Sequence, residues 1–404
     1  MKPTPEKVAL ALAALLVLAG IGLYVFRPAP VPEGLVLKKT SFEELTAWDA
    51  DQQSRTLVAF LKSCARFKTL PETRSLGARG VAGTIADWRQ PCQEARDITP
   101  GNDAGARAFF EAAFVPYQAH NQSNPEGLFT GYYEPSLKGS LVRSGPWQTP
   151  LLARPENLIT VELSQFRDDL RGRRIAGEVK GGRLVPYAER KGIVAGKLAQ
   201  QEIPLVWVDD PVSAFFLQIQ GSGRVKLVDG GEMRVGYAAT NGHPYTAIGR
   251  ELIRRGAIPR DLVSLQSIRD WLEKNPAEAP EVMALNKSYV FFRELKGDGP
   301  IGAQGVALTP ERSLAVDRKF IPMGVPVWLE ATAPAEDVAA PEQTLHSLMV
   351  TQDTGGAIRG PVRGDVFWGY GARAELIAGR MKNKGRYFLL LPKTVAGRIE
   401  AAGE

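Results

Sequence analysis

Metal-binding motifs are nearly absent from this sequence of 404 residues, which contains two cysteines and three histidines. No H-E-x-x-H and no paired C-x-x-C spacing joins them. The histidines, His120, His243 and His346, are scattered along the chain, so each is interpreted as structural rather than as a metal ligand. The sequence therefore predicts a protein with no metal ion and no other cofactor.

Several nucleotide-binding and hydrolase signatures are also missing. The chain has no P-loop and no G-x-S-x-G, so it lacks the motifs of P-loop NTPases and α/β-hydrolases. Residues 369–374 (GYGARA) match G-x-G-x-x-A, but too little chain follows for the strand and ribose-binding acid of a dinucleotide fold. The net charge of +6 includes no dense block of Lys or Arg. The sequence therefore predicts no nucleic-acid partner.

One long apolar run occupies residues 8–26, close to the roughly 20 residues that cross a bilayer. Lys2 and Lys7 precede it, which favours a cytoplasmic N-terminus and export of the remaining chain. Residues 27–30 contain no A-x-A cleavage site, so an uncleaved anchor is preferred over a cleaved signal peptide. Residues 1–37 are therefore predicted to form a membrane anchor and a Pro-rich spacer.

The two cysteines, Cys64 and Cys92, belong to the part of the chain that is predicted to be exported. In an oxidising compartment they are free to form a disulfide, which would stabilise the fold by a few kcal/mol. Two buried thiols would give the same pattern in sequence, so both states remain open at this point.

Turn residues and short apolar runs are abundant. The chain has 41 Gly and 29 Pro, with 44% hydrophobic and 23% charged residues, which is typical of a strand-rich globular protein with two or three domains. Between residues 128 and 245, strand-like runs such as 214–220 alternate with glycine, which predicts a small barrel or sandwich. Helices are predicted from residue 41 and at residues 105–114, 245–255, 265–274 and 372–381.

Residues 348–368 (LMVTQDTGGAIRGPVRGDVFW) combine two acids with strand and turn signals. Asp353 follows a buried-strand run and precedes Gly355 and Gly356, and Asp365 precedes a second run that contains aromatic residues. Tight turns alone would explain a single Asp-Thr-Gly, but two acids in this setting indicate a cleft. Burial beside the aromatic residues would raise the pKa of Asp353, as a general acid at neutral pH requires.

Two carboxylate-based chemistries are compatible with this segment. The tripeptide at Asp353 resembles that of aspartic peptidases, in which two carboxyl groups share a proton. The chain has no second Asp-Thr-Gly, which leaves only a homodimeric enzyme of that kind as an alternative. Asp353 and Asp365 could instead form the two-carboxylate pair of a glycosidase.

Aromatic and amide side chains add a carbohydrate signal. Phe129, Tyr132, Tyr133 and Trp207 offer flat apolar faces that suit sugar rings, although such clusters also form protein cores. Residues 218–223 (QIQGSG) place amide and hydroxyl groups where a predicted strand breaks. These groups could bind a hydroxyl-rich ligand or simply turn the chain.

Several segments occur in order between residues 127 and 368, and they are residues 129–135 (FTGYYEP), 216–223 (FLQIQGSG), 235–237, 241–242, 286–292, 315–317 with 321–324, and 353–360 (DTGGAIRG). Taken together, these segments resemble the membrane-bound lytic murein transglycosylase A family, which cleaves bacterial peptidoglycan. They cover most of the part that is predicted to be exported.

The resemblance implies a fold that is mainly β with flanking helices. It consists of a double-psi β-barrel domain and an inserted smaller barrel-like β domain, with the glycan groove between them. The expected ranges are residues 38–134 with 286–404 for the catalytic barrel, and 135–285 for the inserted domain with its C-terminal helices. No cysteine for lipid attachment ends the apolar run. We therefore expect an inner-membrane anchor facing the periplasm of a Gram-negative-type bacterium, with a cleaved periplasmic or outer-membrane-associated form as the alternative.

The resemblance also implies the reaction, a lytic exotransglycosylase cleavage of the bond between N-acetylmuramic acid and N-acetylglucosamine that leaves a 1,6-anhydro ring. Asp353 corresponds to the catalytic acid of the family, and Asp365 is similar to a second acid nearby. The candidate substrate-binding residues are Thr130, Gly131, Tyr132, Tyr133, Gln220, Ser222, Gly355, Gly356 and Arg359. The expected partners are glycan strands and proteins of cell-wall synthesis or division. A two-carboxylate hydrolase and a non-catalytic wall-binding module remain the alternatives.

Overall fold

The structure is a computed structural model that describes residues 34–77, 80–170, 173–201, 203–297 and 299–401. The membrane anchor and most of the spacer, which are predicted at residues 1–37, lie outside the described residues. Within them, no helix is both long enough and apolar enough to cross a bilayer.

The described chain forms three β-sheets with helices around them. Its strands are β1 (Leu35–Lys39), β2 (Phe114–Asn121), β3 (Gly127–Glu134), β4 (Ser136–Ser140), β5 (Thr149–Leu152), β6 (Ile159–Glu162), β7 (Arg174–Lys180), β8 (Arg183–Pro186), β9 (Pro204–Val208), β10 (Ser222–Leu227), β11 (Glu232–Thr240), β12 (Val290–Glu294), β13 (Ser313–Val316), β14 (Pro326–Ala333), β15 (Gln343–Asp353), β16 (Arg363–Tyr370) and β17 (Lys382–Pro392). Its helices are α1 (Gln53–Phe67), α2 (Arg89–Glu94), α3 (Asp103–Ala113), α4 (Arg190–Val194), α5 (Pro211–Gln220), α6 (Gly249–Arg254), α7 (Leu265–Lys274), α8 (Ala279–Ala284), α9 (Ala372–Arg380) and α10 (Lys393–Ala401).

Six strands close into a barrel in the order β17-β14-β15-β13-β16-β3, because β3 pairs back onto β17. Closure leaves no free edge among these strands. The pairs β13–β15 and β16–β3 are parallel, and β2 and β1 extend the sheet outward from β17. The interior is aromatic and aliphatic: the rings of Phe129 and Tyr387 meet edge to face with their centroids 5.7 Å apart.

The second sheet has the order β12-β11-β10-β4-β9-β5. A bridge between Ala153 and Phe292 links the chain just after β5 to β12, so the sheet curls back on itself around buried valines of β9, β10 and β11. Strand β12 lies beyond residue 285, where the inserted domain was predicted to end, yet it pairs with β11. A third sheet, in the order β6-β7-β8, approaches the loop at Gly242, where an added Cβ would lie 2.8 Å from the carbonyl oxygen of Ala176.

A buried ion-pair cluster joins the barrel to the second sheet. Glu134, the last residue of β3, is fully buried, and it contacts Arg224 of β10 at 3.0 Å and Arg234 of β11 at 3.4 Å. A buried carboxylate without such partners would be strongly unfavourable. The two sheets are therefore connected by charge pairing as well as by the chain itself.

The strand that was predicted at residues 214–220 is wrong, because these residues belong to helix α5. Asp210 caps the helix by accepting hydrogen bonds from the amides of Val212 and Ser213, and Pro211 occupies the first turn. Gly221, with φ of 84°, ends the helix in the left-handed region. An apolar run that is buried nearly all round carries no periodicity that separates strand from helix.

Two elements of the N-terminal half also bear on the predictions. The helix predicted from residue 41 begins only at Gln53, as α1, and two short 3-10 turns at Phe42–Glu44 and Trp48–Ala50 precede it. Cys64 of α1 and Cys92 of α2 form a disulfide with an S–S distance of 2.01 Å. The disulfide fixes the C-terminal half of α1 to the helical layer beside the barrel.

Candidate functional site

Asp353 and Asp365 lie on the two strands that flank β13. Ala315 of β13 pairs with Asp353 of β15 on one side and with Asp365 of β16 on the other. Since neighbouring strands are about 4.8 Å apart, the two Asp Cα atoms are roughly 10 Å apart. Residues directly opposite in a sheet project to the same face, so both carboxyl groups occupy one side of the barrel wall, with the small side chain of Ala315 between them.

The carboxyl group of Asp353 is held by two donors from other parts of the chain. The Tyr132 hydroxyl donates to Oδ2 at 2.9 Å, and the backbone amide of Ala303 donates to Oδ1 at 2.9 Å. Burial raises the pKa of Asp353, while hydrogen bonds from the amides of Thr354 and Ala303 and from Tyr132 oppose the rise. The side chain is half-buried, so a protonated Asp353 remains accessible to a ligand.

Tyr132 is well suited to act as a permanent donor. Burial and the neighbouring Asp353 raise the pKa of its hydroxyl well above the ordinary value, so the phenol stays protonated at any working pH. Its ring lies 5.2 Å from the ring of Phe367, which is buried. Tyr132 therefore fixes the orientation of Asp353.

Asp365 is bound differently. Its Oδ1 accepts a hydrogen bond of 2.6 Å from Thr130, whose Oγ1 in turn accepts one of 2.8 Å from Nη2 of Arg363. Burial raises the pKa of Asp365 to about 6, Arg363 and Thr130 oppose the rise, and Asp353 adds to it. The pKa of each acid is therefore raised above the ordinary value for aspartate.

The glycine-rich loop after Asp353 is anchored at both ends. The Thr354 hydroxyl donates to the Val316 carbonyl at 2.8 Å, and the Gly360 amide donates to Oδ2 of Asp317 at 2.9 Å. Within the loop, an added Cβ at Gly356 would lie 3.7 Å from Cβ of Tyr245. The loop thus approaches the chain between β11 and α6, which places the acids beside the junction of barrel and inserted segment.

The other predicted site residues differ in the face of the strand on which they lie and in their distance from the two acids. On β3, Thr130 and Tyr132 contact Asp365 and Asp353, whereas Tyr133 is buried in the core. At Gly131, a Cβ would lie 2.7 Å from Cα of Ala378 in α9, so the glycine permits close packing of that helix. Alternation along the strand explains why neighbouring residues separate in this way.

Five further candidates lie in or near the loop or the second sheet. Oε1 of Gln220 accepts a hydrogen bond of 3.1 Å from the backbone amide of Tyr133, so the side chain of Gln220 holds the end of β3. Ser222 is half-buried at the start of β10. Arg359 is exposed and donates to the Ile358 carbonyl at 3.0 Å. Gly355 and Gly356 form the loop next to Asp353.

The sequence interpretation missed Ala303, Ala315, Arg363 and Asp317 as parts of the site. Asp317 and Ala315 lie in a segment that resembles the family, which was the one signal available. A backbone amide such as that of Ala303 carries no residue signature. Among the described residues, no group of three or more His, Cys, Asp or Glu could hold a metal ion.

The fold and the site define a β-barrel protein with a second, curled β-sheet and with two acids of raised pKa on the barrel wall. Residues 128–293 match the MltA specific insert domain, and residues 312–391 match the 3D domain. The membrane-bound lytic murein transglycosylase A of Escherichia coli K12 is 32% identical over 301 residues, which are 74% of each chain. The chain belongs to the membrane-bound lytic murein transglycosylase A family.

Solved structures agree with this assignment. A membrane-bound lytic murein transglycosylase from Agrobacterium tumefaciens is similar with a TM-score of 0.79 and 32% identity, covering 90% of this chain and 99% of that one. The E. coli MltA with bound chitohexaose is similar with a TM-score of 0.64 and 25% identity, covering 91% and 97%. The predicted family and the predicted fold class, a double-psi β-barrel with a second β domain, are both confirmed.

Proposed function

We propose that this protein is a lytic transglycosylase. It cleaves the β-1,4 bond between N-acetylmuramic acid and N-acetylglucosamine in peptidoglycan and forms a 1,6-anhydromuramoyl end. The observation that carries the proposal is the environment of Asp353, whose half-buried carboxyl group has a raised pKa and is oriented by Tyr132 and Ala303. The family relationship supports it, because the E. coli and A. tumefaciens relatives are named lytic murein transglycosylases.

Asp353 acts first as the acid. Its protonated carboxyl group gives its proton to the glycosidic oxygen while the bond from that oxygen to the muramoyl anomeric carbon breaks. The Tyr132 hydroxyl and the Ala303 amide then stabilise the carboxylate that forms, since they already point at its two oxygens. These fixed donors require no reorganisation during the step.

Asp353 then acts as the base. The muramoyl 6-hydroxyl attacks the anomeric carbon of its own ring and passes its proton to the Asp353 carboxylate, which restores the starting state. Since the nucleophile belongs to the substrate, attack is intramolecular and no water is consumed. One carboxyl group is therefore sufficient for both proton transfers.

Asp365 binds and orients the substrate in this proposal. Its pKa of about 6 lets it either accept a hydrogen bond from a sugar hydroxyl or donate one. Thr130 and Tyr132 form the same wall. Arg359 is exposed on the loop after Asp353, where it meets a lactyl or peptide carboxylate. The glycan strand lies along the junction of the barrel and the inserted segment.

The setting of the protein in the cell is part of the proposal. The relatives are named membrane-bound, and residues 8–26 are predicted to anchor the chain. We propose an inner-membrane protein that faces the periplasm, acts from strand ends on glycan, and works beside proteins of cell-wall synthesis or division.

A two-carboxylate hydrolase is the second candidate, favoured by the raised pKa of Asp365. Product mass separates the two, because an anhydro product is lighter by one water than a hydrolytic one. We expect the purified exported part to release anhydromuropeptides from murein sacculi. Reducing-end products would establish hydrolysis instead, and no released product at all would indicate a binding module.

The matched variants are Asp353→Asn and Asp169→Asn. Asp353→Asn should abolish release while sedimentation with sacculi persists, because the amide cannot donate the required proton. Asp169 is an exposed aspartate paired with Arg167, so its substitution should leave release unchanged. Undiminished release by Asp353→Asn would remove Asp353 from the mechanism.

A further inference from the structure

A turn at residues 302–305 supplies the amide that contacts Asp353. The amide of Gly305 donates to the carbonyl of Gly302 at 2.8 Å, and the Ala303 amide between them donates to Oδ1 of Asp353 at 2.9 Å. Ala303 itself is exposed. Its exposed methyl side chain therefore does not fix the position of its backbone amide.

The turn is instead fixed through Gln304. This side chain is 7% exposed, and its Oε1 accepts a hydrogen bond of 2.8 Å from Ser63, a fully buried residue of α1. The backbone amide of Gln304 also donates to the backbone carbonyl of Gln352 at 3.0 Å. Gln304 follows Ala303 and Gln352 precedes Asp353, so the two residues next to the Ala303–Asp353 contact are themselves joined.

Ser63 extends the connection into a buried polar network. Its Oγ accepts a hydrogen bond of 2.8 Å from Nε2 of Gln352, which also donates to the Ala59 carbonyl at 2.7 Å. Oε1 of Gln352 accepts one of 2.6 Å from Ser313 of β13. The turn, α1, β13 and β15 are therefore held together directly beneath the acid, and low dielectric makes each such bond strong.

The network also has a cost. Nε2 of Gln304 is buried and has no hydrogen-bond partner within the described part of the chain, and a buried unpaired donor is unfavourable. Methionine has a similar shape and would avoid that cost. Glutamine differs from methionine here because its Oε1 accepts the hydrogen bond from Ser63.

We propose that Gln304 is a positioning residue: by tying the 302–305 turn to Ser63, its side chain keeps the Ala303 amide on Oδ1 of Asp353 during both proton transfers. This inference rests on the proposed function. Two donors to the catalytic carboxyl group come from distant parts of the chain, the Tyr132 hydroxyl and the Ala303 amide. The second of them is positioned by Gln304, whose side chain contacts no reacting atom.

The pH dependence of the reaction is the readout that separates positioning from simple stability. The amide of Ala303 favours the charged form of Asp353 and so lowers its pKa. If the amide moves away, this pKa rises and the alkaline limb of the rate profile moves to higher pH. The titratable groups facing Asp353 are Tyr132 of β3 and Asp365 of β16, with Arg363 beside the latter, and none of them is changed.

The test compares Gln304→Met with Gln53→Met. Gln53 is also buried, donates one side-chain hydrogen bond to the Trp48 carbonyl and has an unpartnered Oε1 within the described residues, but it lies at the other end of α1. We expect Gln304→Met to move the alkaline limb of anhydromuropeptide release upward by about 0.5–1 pH unit and to lower the maximal rate about 10-fold. Gln53→Met should leave the profile unchanged.

Ser63→Ala provides the second arm, because it removes the hydroxyl that donates to Oε1 of Gln304 and alanine is favourable in a helix. It should shift the limb in the same direction, and the double variant with Gln304→Met should be no worse than the more affected single variant. A wild-type profile for both single variants, or an equal shift for Gln53→Met, would overturn the positioning role alone. A wild-type protein that released no anhydromuropeptides would overturn the proposed function as well.

Discussion

Asp353 and Asp365 share one register partner, Ala315, which lies between them on β13. The two acids, whose pKa values are both raised, therefore lie at the same level on one face of the barrel. The residue between them has only a methyl side chain. We expect a sugar that binds to both acids to follow a path over Ala315, whose side chain is 2% exposed.

Ala315→Val should obstruct that path. The added methyl groups occupy the space between the acids, so we expect kcat/KM for glycan cleavage to fall at least about 10-fold, with a stability cost of about 1–3 kcal/mol from overpacking. Ala331→Val is the control, because Ala331 is also buried, on the barrel strand β14. Equal activity of the two variants at matched stability would show that Ala315 does not border the substrate path.

Asp365→Asn should increase stability in a pH-dependent way. The folded-state pKa of Asp365 is raised from 3.8 to about 6. The contribution of wild-type Asp365 to the free energy of unfolding is therefore fully present below about pH 4, and it is lost as pH rises through 6. The gain of the neutral variant should therefore be absent near pH 4, grow up to pH 6 and then level off at no more than about 3 kcal/mol. Thermal unfolding from pH 4 to 8 measures it. A gain that does not change with pH would contradict the raised pKa.

Tyr132→Phe should weaken catalysis while leaving the fold intact. Loss of the hydroxyl removes a hydrogen bond that lowers the pKa of Asp353, so the alkaline limb of activity should move to higher pH and the rate should fall about 10- to 100-fold. The control is Tyr187→Phe, which removes a buried hydroxyl bonded to Asn157 at 2.8 Å. A profile shift shared by both variants would point to general destabilisation.

Glu134→Ala should destabilise the whole described chain. It leaves Arg224 and Arg234, which are mostly buried, without their shared carboxylate, and such a loss costs about 3–5 kcal/mol. Glu251→Ala removes the partner of Arg254 and Arg255 at the C-terminal end of α6 and should cost far less, because ion pairs at the surface contribute little. Urea unfolding compares them, and similar losses for the two variants would refute a special role for the buried cluster.

The local pattern was sufficient where an apolar run is short and soon followed by glycine, or where apolar residues recur at helical spacing. Residues 348–350 are predicted as a buried strand and lie in β15, and residues 265–274 form the predicted helix α7. The run at residues 214–220 misled because most of it is buried, which removes the contrast between faces. The capping residue Asp210 and the terminating Gly221 were the signals that could have identified the helix.

The sequence by itself determined the chemical inventory of this protein: acids next to glycines, few metal ligands, a family resemblance and two cysteines able to pair. Only the tertiary structure decided which groups meet. Tyr132 and Tyr133 are adjacent in the chain, yet one contacts Asp353 and the other lies in the core. Sheet register and loop anchoring bring Ala303, Ala315 and Gln304 to the acid across the chain, and contacts between distant residues leave no periodic trace in a single sequence.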